Sequence, residues 1–246
     1  MAERIAAELL AAASRLRSEL RGLRFGPPVS HVYDPLDYAR RGYERYVRAF
    51  ANTPKRVLFV GMNPGPFGMA QTGVPFGDVP MVRGWLGIEV PIGRPAREHP
   101  KRPIEGFACP RSEISGTRFW GSLAERFGEA ERFFAEHFVA NYCPLAFIEA
   151  SGRNRTPDKL SSRERAPLFA ACDAHLRRVA RALEPEWVIG IGAFAESRAQ
   201  ESLEGVRIGR ITHPSPANPR AQKDWGGTLA RELSALGVWP TGRKKA

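Results

Sequence analysis

Three places along the chain set a side chain able to hold water or a polar ligand beside a short apolar run. Residues 56–61 (RVLFVG) lead into Met62, Asn63, Pro64, Gly65 and Pro66; residues 138–142 (FVANY) carry Asn141; residues 206–212 (VRIGRIT) run into His213 and Pro214. A carboxamide offers an acceptor and a donor together, and an imidazole offers an N–H and a lone pair. Neither asparagine can deprotonate water at neutral pH, so the chemistry these types allow is positioning and charge stabilisation rather than strong-base catalysis. On residue type alone Asn63, standing before Pro-Gly, is more readily a turn residue. A lone histidine is most often structural, and His31, His99, His137 and His175 keep that reading. His213 differs because it follows a strand pattern and opens a proline-rich loop.

The elements that must position these residues follow from periodicity. A fourth apolar run spans 187–191 (WVIGI), and helical patterns at 118–127, 162–183, 193–203 and 221–236 alternate with the runs. Strands alternating with helices predict an α/β fold, a four-stranded parallel sheet sandwiched between helices, built as one domain over 1–246. Asp34 and Pro35 fit an N-cap and first helical position, with a helix running to about Ala51. At the start of the chain, Ile5, Leu9, Ala12, Leu16, Leu20 and Leu23 form one apolar stripe, which predicts an amphipathic helix within 1–26. A basic tail occupies 241–246. In open parallel sheets ligands bind beyond the carboxyl ends of the strands, and Asn63, Asn141 and His213 all fall there. The Gly- and Pro-dense stretch 62–115 is therefore expected to build a site.

Composition narrows the function classes. The 246 residues carry a net charge of +11, which favours a polyanionic partner. No apolar run approaches the roughly 18 to 20 residues of a membrane-spanning helix. No strand end bears the acidic cluster of a Mg²⁺-dependent nuclease. Cys109, Cys143 and Cys172 lie far apart without CxxC spacing, so no metal, no cofactor and a reducing compartment are expected. Gly190-Ile191-Gly192-Ala193-Phe194-Ala195 fits a loose dinucleotide fingerprint, but the acid due about twenty residues later is missing, and close helix–strand packing explains the glycines better. A monomer is the default.

Residues 61–77 (GMNPGPFGMAQTGVPFG) closely resemble the first motif of the single-strand-selective monofunctional uracil-DNA glycosylases. His213-Pro214-Ser215-Pro216-Ala217-Asn218-Pro219 resembles that family's second motif, and Asn141-Tyr142-Cys143-Pro144-Leu145 and Ser151-Gly152-Arg153-Asn154 match its pattern, so the resemblance spans about 28–240. It implies the three-layer fold of uracil-DNA glycosylases. It also implies hydrolysis of the N-glycosidic bond of uracil and 5-substituted uracils such as 5-hydroxymethyluracil, in single- and double-stranded DNA, leaving an abasic site uncut. The location implied is the bacterial cytoplasm, at the nucleoid, or a eukaryotic nucleus. By the same resemblance Asn63 holds the attacking water, His213 stabilises the departing base, and Asn141 reads the flipped base. Phe76 stacks on it, while Met62, Gly65 and Met69 line its pocket, Gly65 leaving space near C5. Arg153, Asn154, Ser215, Pro216, Ala217, Asn218, Arg220 and Lys223 are the implied DNA contacts, with Arg155 a further phosphate binder. The family carries Arg where this chain has Ala217, implying a smaller wedge for which Arg220 would substitute. No lysine lies in these motifs to form a Schiff base; Lys55 and Lys159 stay open. A catalytically weak damage-binding module and a nucleotide-binding enzyme are the competing readings.

Overall fold

The computed structural model describes residues 2–221 and 223–240, leaving aside the side chains of Ala2 and Arg220. The basic tail lies outside the described residues. Helix α1 (Ala2–Leu20) opens the chain and buries Ile5, Leu9, Ala12, Leu16 and Leu20. Strand β1 (Val29–Tyr33) precedes α2 (Pro35–Tyr38), whose first turn is capped by the Asp34 carboxylate accepting from Leu36 N at 3.0 Å. The helix expected to continue to Ala51 is interrupted at Ala39 and resumes as α3 (Arg40–Phe50). The cause is tertiary: a Cβ on Gly73, whose φ is +76°, would stand 2.4 Å from the Ala39 carbonyl oxygen, so a neighbouring turn is pressed against the break.

Strand β2 (Val57–Gly61) is buried at every position, as a central strand covered on both faces must be. The loop region then carries α4 (Met69–Thr72) and α5 (Val79–Gly84). Helices α6 (Ile114–Phe127) and α7 (Ala130–Phe134) lead to β3 (His137–Asn141) and β4 (Ala146–Glu149). After β5 (Asn154–Arg155) come α8 (Ser162–Leu183), β6 (Trp187–Ile191), α9 (Ala193–Ser202), β7 (Arg207–Ile211) and α10 (Trp225–Ala235). Helix α8 begins with a capping box between Ser161 and Glu164.

Four strands make the expected parallel sheet, in the order β3-β2-β6-β7. A second, antiparallel sheet, β1-β4-β5, was not anticipated from the sequence. Phe59 of β2 puts its ring against Phe119 of α6 and Phe133 of α7, while α9 packs on β6 and β7. The glycines of the loose dinucleotide pattern serve this packing. A Cβ on Gly190 would lie 2.3 Å from the Glu196 amide nitrogen, so helix and strand touch backbone to backbone. Helix α6 begins four residues earlier than expected because Gly116, a residue of low helix propensity, is fitted under the Phe76 carbonyl, 2.2 Å from where a Cβ would sit.

Candidate active site

The register of the parallel sheet decides where the polar side chains meet. Gly61 at the end of β2 pairs with Asn141 at the end of β3, and Tyr142 N and Cys143 N extend the ladder onto the carbonyls of Gly61 (2.8 Å) and Met62 (2.9 Å). Gly61 has no room for a side chain: a Cβ would stand 2.5 Å from Asn141 Oδ1 and 2.7 Å from the Phe76 ring. Two pocket residues, Asn141 and Phe76, therefore converge on one glycine. Asn141 Nδ2 donates to the Met69 thioether at 3.2 Å, a weak acceptor that a better ligand can displace.

Asn63 is held from behind. Its Nδ2 donates to the Leu145 carbonyl at 3.2 Å and approaches the Pro64 carbonyl at 3.5 Å. Both neighbours can only accept, so they fix the NH₂ end and leave Oδ1 as the acceptor able to hold a water.

Phe76 is one of two non-glycine residues with positive φ among the described residues, at +53°. A bulky side chain there is strained, and such strain persists where the surroundings impose it. Thr72 Oγ1 donates to the Gly77 carbonyl and accepts from Val74 N, and Trp120 Nε1 donates to the Pro75 carbonyl, which locks the turn. The ring stacks on Phe119 at 4.8 Å and lies 6.1 Å from the His213 ring.

His213 follows β7, whose end is tied to α10: Thr212 N and Oγ1 both donate to the Glu232 carboxylate at 2.7 Å, and Trp225 Nε1 donates to the Thr212 carbonyl at 2.9 Å. The Ser215 amide donates to His213 Nδ1 at 3.0 Å. An amide only donates, so Nδ1 is the unprotonated nitrogen and Nε2 carries the hydrogen. Burial pushes the imidazole down to about 4. At neutral pH His213 is a neutral Nε2–H donor.

Polar residues that sequence reasoning missed hold the long loop in place. Gln71 is fully buried; its Nε2 donates to the carbonyls of Pro66 (2.9 Å) and Pro103 (3.0 Å), and its Oε1 accepts from Glu105 N (2.8 Å) and Gly106 N (3.1 Å). Asp78 Oδ1 accepts from Ser112 Oγ and Glu113 N, both at 2.8 Å. The Glu113 carboxyl reaches back to the first-motif loop, where its oxygens stand 2.8 Å and 2.4 Å from where Cβ atoms on Gly65 and Gly68 would be. Burial, then the nearby Asp78 charge, push this acid up to about 7, the Gly116 amide pulling weakly the other way without forming a capping bond.

Known proteins resemble the chain over most of its length. The model of the uracil DNA glycosylase superfamily matches residues 49–233. The single-strand selective monofunctional uracil DNA glycosylases of Mus musculus and Bos taurus are each 47% identical over 230 residues, covering 92% of this chain and 82% and 85% of their own lengths. The chain belongs to the uracil DNA glycosylase superfamily. Its fold also matches the crystal structure of wild-type SMUG2 from Pedobacter heparinus, with a TM-score of 0.70 at 19% identity, over 95% of this chain and 97% of that one.

Around the site of this superfamily member, Met62 is half-buried with its carbonyl on Cys143 N, and Gly65 and Met69 lie in the loop beside Asn141. The second-motif loop is built as a turn: Ala217 N donates to Ser215 Oγ, Asn218 N to the Ser215 carbonyl, and Asn218 Nδ2 to the His213 carbonyl at 3.4 Å. Arg118 of α6 donates to the Pro214 carbonyl at 3.0 Å. Pro216 and Ala217 are exposed at the tip. The Arg220 side chain, on which the sequence placed a substitute wedge, lies outside the described residues; Lys223 is exposed.

Arg153 is exposed, whereas Asn154 lies in β5 opposite Ile148 with Oδ1 shut off from solvent. Arg155 is already engaged, by the Glu149 carboxylate at 3.0 Å and the Lys159 carbonyl. Arg102 and Arg111 were not singled out from the sequence. Their guanidiniums sit 5.3 Å and 5.0 Å from the centre of the Phe67 ring, in the first-motif loop. Neither forms an ion pair among the described residues, although many arginines of this chain do, as Arg83 does with Glu89. Lys55 is buried ahead of the amino end of β2, donating to the Phe134 carbonyl and to Thr53 Oγ1 at 3.1 Å, while the exposed Lys159 pairs with Asp158 at 3.3 Å. His99 is structural: Nδ1 accepts from Lys101 N at 3.1 Å and Nε2 faces the Ala150 carbonyl at 3.1 Å.

Proposed function

We propose that the chain is a monofunctional uracil-DNA glycosylase that hydrolyses the N-glycosidic bond of uracil and of 5-substituted uracils such as 5-hydroxymethyluracil, in single- and double-stranded DNA, without cutting the strand. The observation that carries this reading is the neutral His213 Nε2–H donor on a ring 6.1 Å from that of Phe76, which itself meets Asn141 at Gly61, with Asn63 just beyond the same strand end. Breaking the bond between C1′ and N1 leaves positive charge on the sugar and negative charge on the base. His213 Nε2–H donates to a uracil carbonyl oxygen as that charge develops, so the interaction is strongest in the transition state. Asn63 Oδ1 holds the water whose oxygen bonds to C1′, and the water's proton passes to solvent. The cation needs no strong base to be captured.

Base choice falls to the Asn141 carboxamide, which exchanges the Met69 sulfur for uracil N3–H and O4. Cytosine presents the reversed pattern at those positions and leaves buried groups unpaired. Phe76, held against Phe119, supplies the stacking face. The turn at Pro216 and Ala217 enters the gap left by the extruded nucleotide, and Ser215 and Asn218 shape it. Arg102, Arg111, Arg153 and Lys223 hold phosphates. The positions of Lys55 and Lys159 favour hydrolysis over Schiff-base lyase chemistry.

The test is a panel of labelled oligonucleotides, single- and double-stranded, carrying uracil, 5-hydroxymethyluracil or no lesion, incubated in EDTA and then cleaved with alkali. Alkali-dependent breaks at both lesions are expected. Breaks before alkali would contradict the monofunctional reading, and their absence throughout would contradict the enzyme.

A further inference from the structure

Glu113 is the N-cap residue of α6, yet its side chain makes no capping bond, and it forms no ion pair among the described residues. Oε2 is buried without a hydrogen-bond partner. A buried carboxyl oxygen left unpaired is costly, and such groups are kept where a ligand supplies the partner. The carboxyl is seated against Gly65 and Gly68, the two glycines between Asn63 and Met69, and against Gly116 beneath the Phe76 carbonyl. Each of these glycines would meet a Glu113 oxygen within 3 Å if it carried a Cβ. Small residues on three sides thus make room for one acid beside the base-binding elements.

The edges of a bound uracil assign its role, given the glycosylase reading above. N1 faces the sugar and Asn63, O2 faces His213, and N3–H and O4 face Asn141. The remaining edge, C5 and C6, falls to the 65–69 loop and the carboxyl seated against its two glycines. Uracil offers only C–H there. A hydroxyl on C5 offers both a donor and an acceptor, so it pairs with a carboxyl in either protonation state.

We propose that Glu113 is a specificity-determining residue that receives a hydroxyl-bearing substituent at C5 of the flipped base, 5-hydroxymethyluracil being the simplest. It makes one hydrogen bond that uracil cannot make and so raises excision of the hydroxylated base relative to others of its size.

The test measures single-turnover excision of uracil, 5-hydroxymethyluracil and the isosteric 5-ethyluracil from single-stranded oligonucleotides, with the melting temperature of each variant recorded. Wild type is expected to remove 5-hydroxymethyluracil at least about tenfold faster than 5-ethyluracil, since a site built to bond a hydroxyl rejects the analogue lacking it. Glu113→Ala is expected to erase that ratio, with uracil excision read alongside as the reference rate, and Glu113→Gln, which keeps a donor and an acceptor, to restore most of it. Equal rates on the two 5-substituted bases in wild type, or a ratio unchanged in Glu113→Ala, overturn the proposal; so does a fall of all three rates together. Failure of wild type on uracil itself would instead overturn the glycosylase reading.

Discussion

A single backbone hydrogen bond sets the tautomer of His213. Because Ser215 N–H occupies Nδ1 and burial holds the imidazole near 4, the ring donates from Nε2 without carrying a charge. Uracil excision is therefore expected to show no step near pH 6.5 and to fall only toward pH 4, read from single-turnover rates across pH 4–8. A rate that climbs as pH drops through 6.5 would indicate an imidazolium instead. Glu113 titrates in the opposite sense. Its folded value, about 7, lies above the ordinary 4.5, so its contribution to stability is intact below 4.5 and is lost as pH rises through 7. Glu113→Gln cannot ionise, and its melting temperature is expected to gain on wild type between pH 5 and 8, with Asp78 as the facing charge that enlarges the effect. Asn63, Asn141 and His213 were legible because each stands at or just beyond a strand's carboxyl end. Glu113 was not, since only the folded chain shows that its carboxyl is buried against glycines 51 sequence positions apart, from Gly65 to Gly116.

At the scale of elements, four strand ends are fixed by ladders and by two clamps, Gln71 in the loop and Glu232 behind β7. Gln71→Leu removes all four hydrogen bonds of a buried side chain, three of them part-buried and one buried, and is expected to cost roughly 2–4 kcal/mol, measured by denaturant unfolding, because a shielded group left without a partner carries a desolvation penalty. The loop at Ala217 makes a separate expectation. Ala217→Arg fills more of the vacated stack and should speed excision from duplex DNA by about three- to tenfold while leaving single-stranded substrate little changed, since only the duplex opposes extrusion. The parallel strands were readable as apolar runs ending in Gly, Asn or His-Pro. The antiparallel sheet was not: β4 and β5 have four and two residues, too few for a period to register, and β1 pairs with a strand more than a hundred residues away. The break at Ala39 escaped for a similar reason, being imposed by Gly73 from outside the helix.

For the whole molecule, the surplus of positive charge acquires a direction. Arg102 and Arg111 flank Phe67 at the mouth of the first-motif loop without carboxylate partners among the described residues. Replacing either with Ala should weaken binding to any oligonucleotide and lower the slope of log K against log salt by about one phosphate's worth, leaving saturated excision rates unchanged. Three histidines, the buried His137 and His175 and the half-buried His213, are each held down to about 4 from an ordinary 6.5, with desolvation the largest cause. A depressed histidine contributes stability that is intact above 6.5 and is lost as pH falls toward 4. Thermal melts should therefore show a steep decline across that interval. His137 and His175 replaced by neutral residues of similar size should flatten it, if packing is kept.

Single-turnover uracil excision from a single-stranded oligonucleotide, in EDTA, comparing wild type with His213→Ala and Asn63→Ala, bears most directly on the proposed chemistry. Wild type should accumulate alkali-labile abasic sites, with His213→Ala slower by roughly 10²- to 10³-fold, the loss expected for one donor to a developing anion, and Asn63→Ala slower by about tenfold or more. Lesion affinity should stay within about threefold of wild type in both. Wild-type excision rates in the His213 variant, or no abasic sites from the wild-type enzyme, would contradict the assignment.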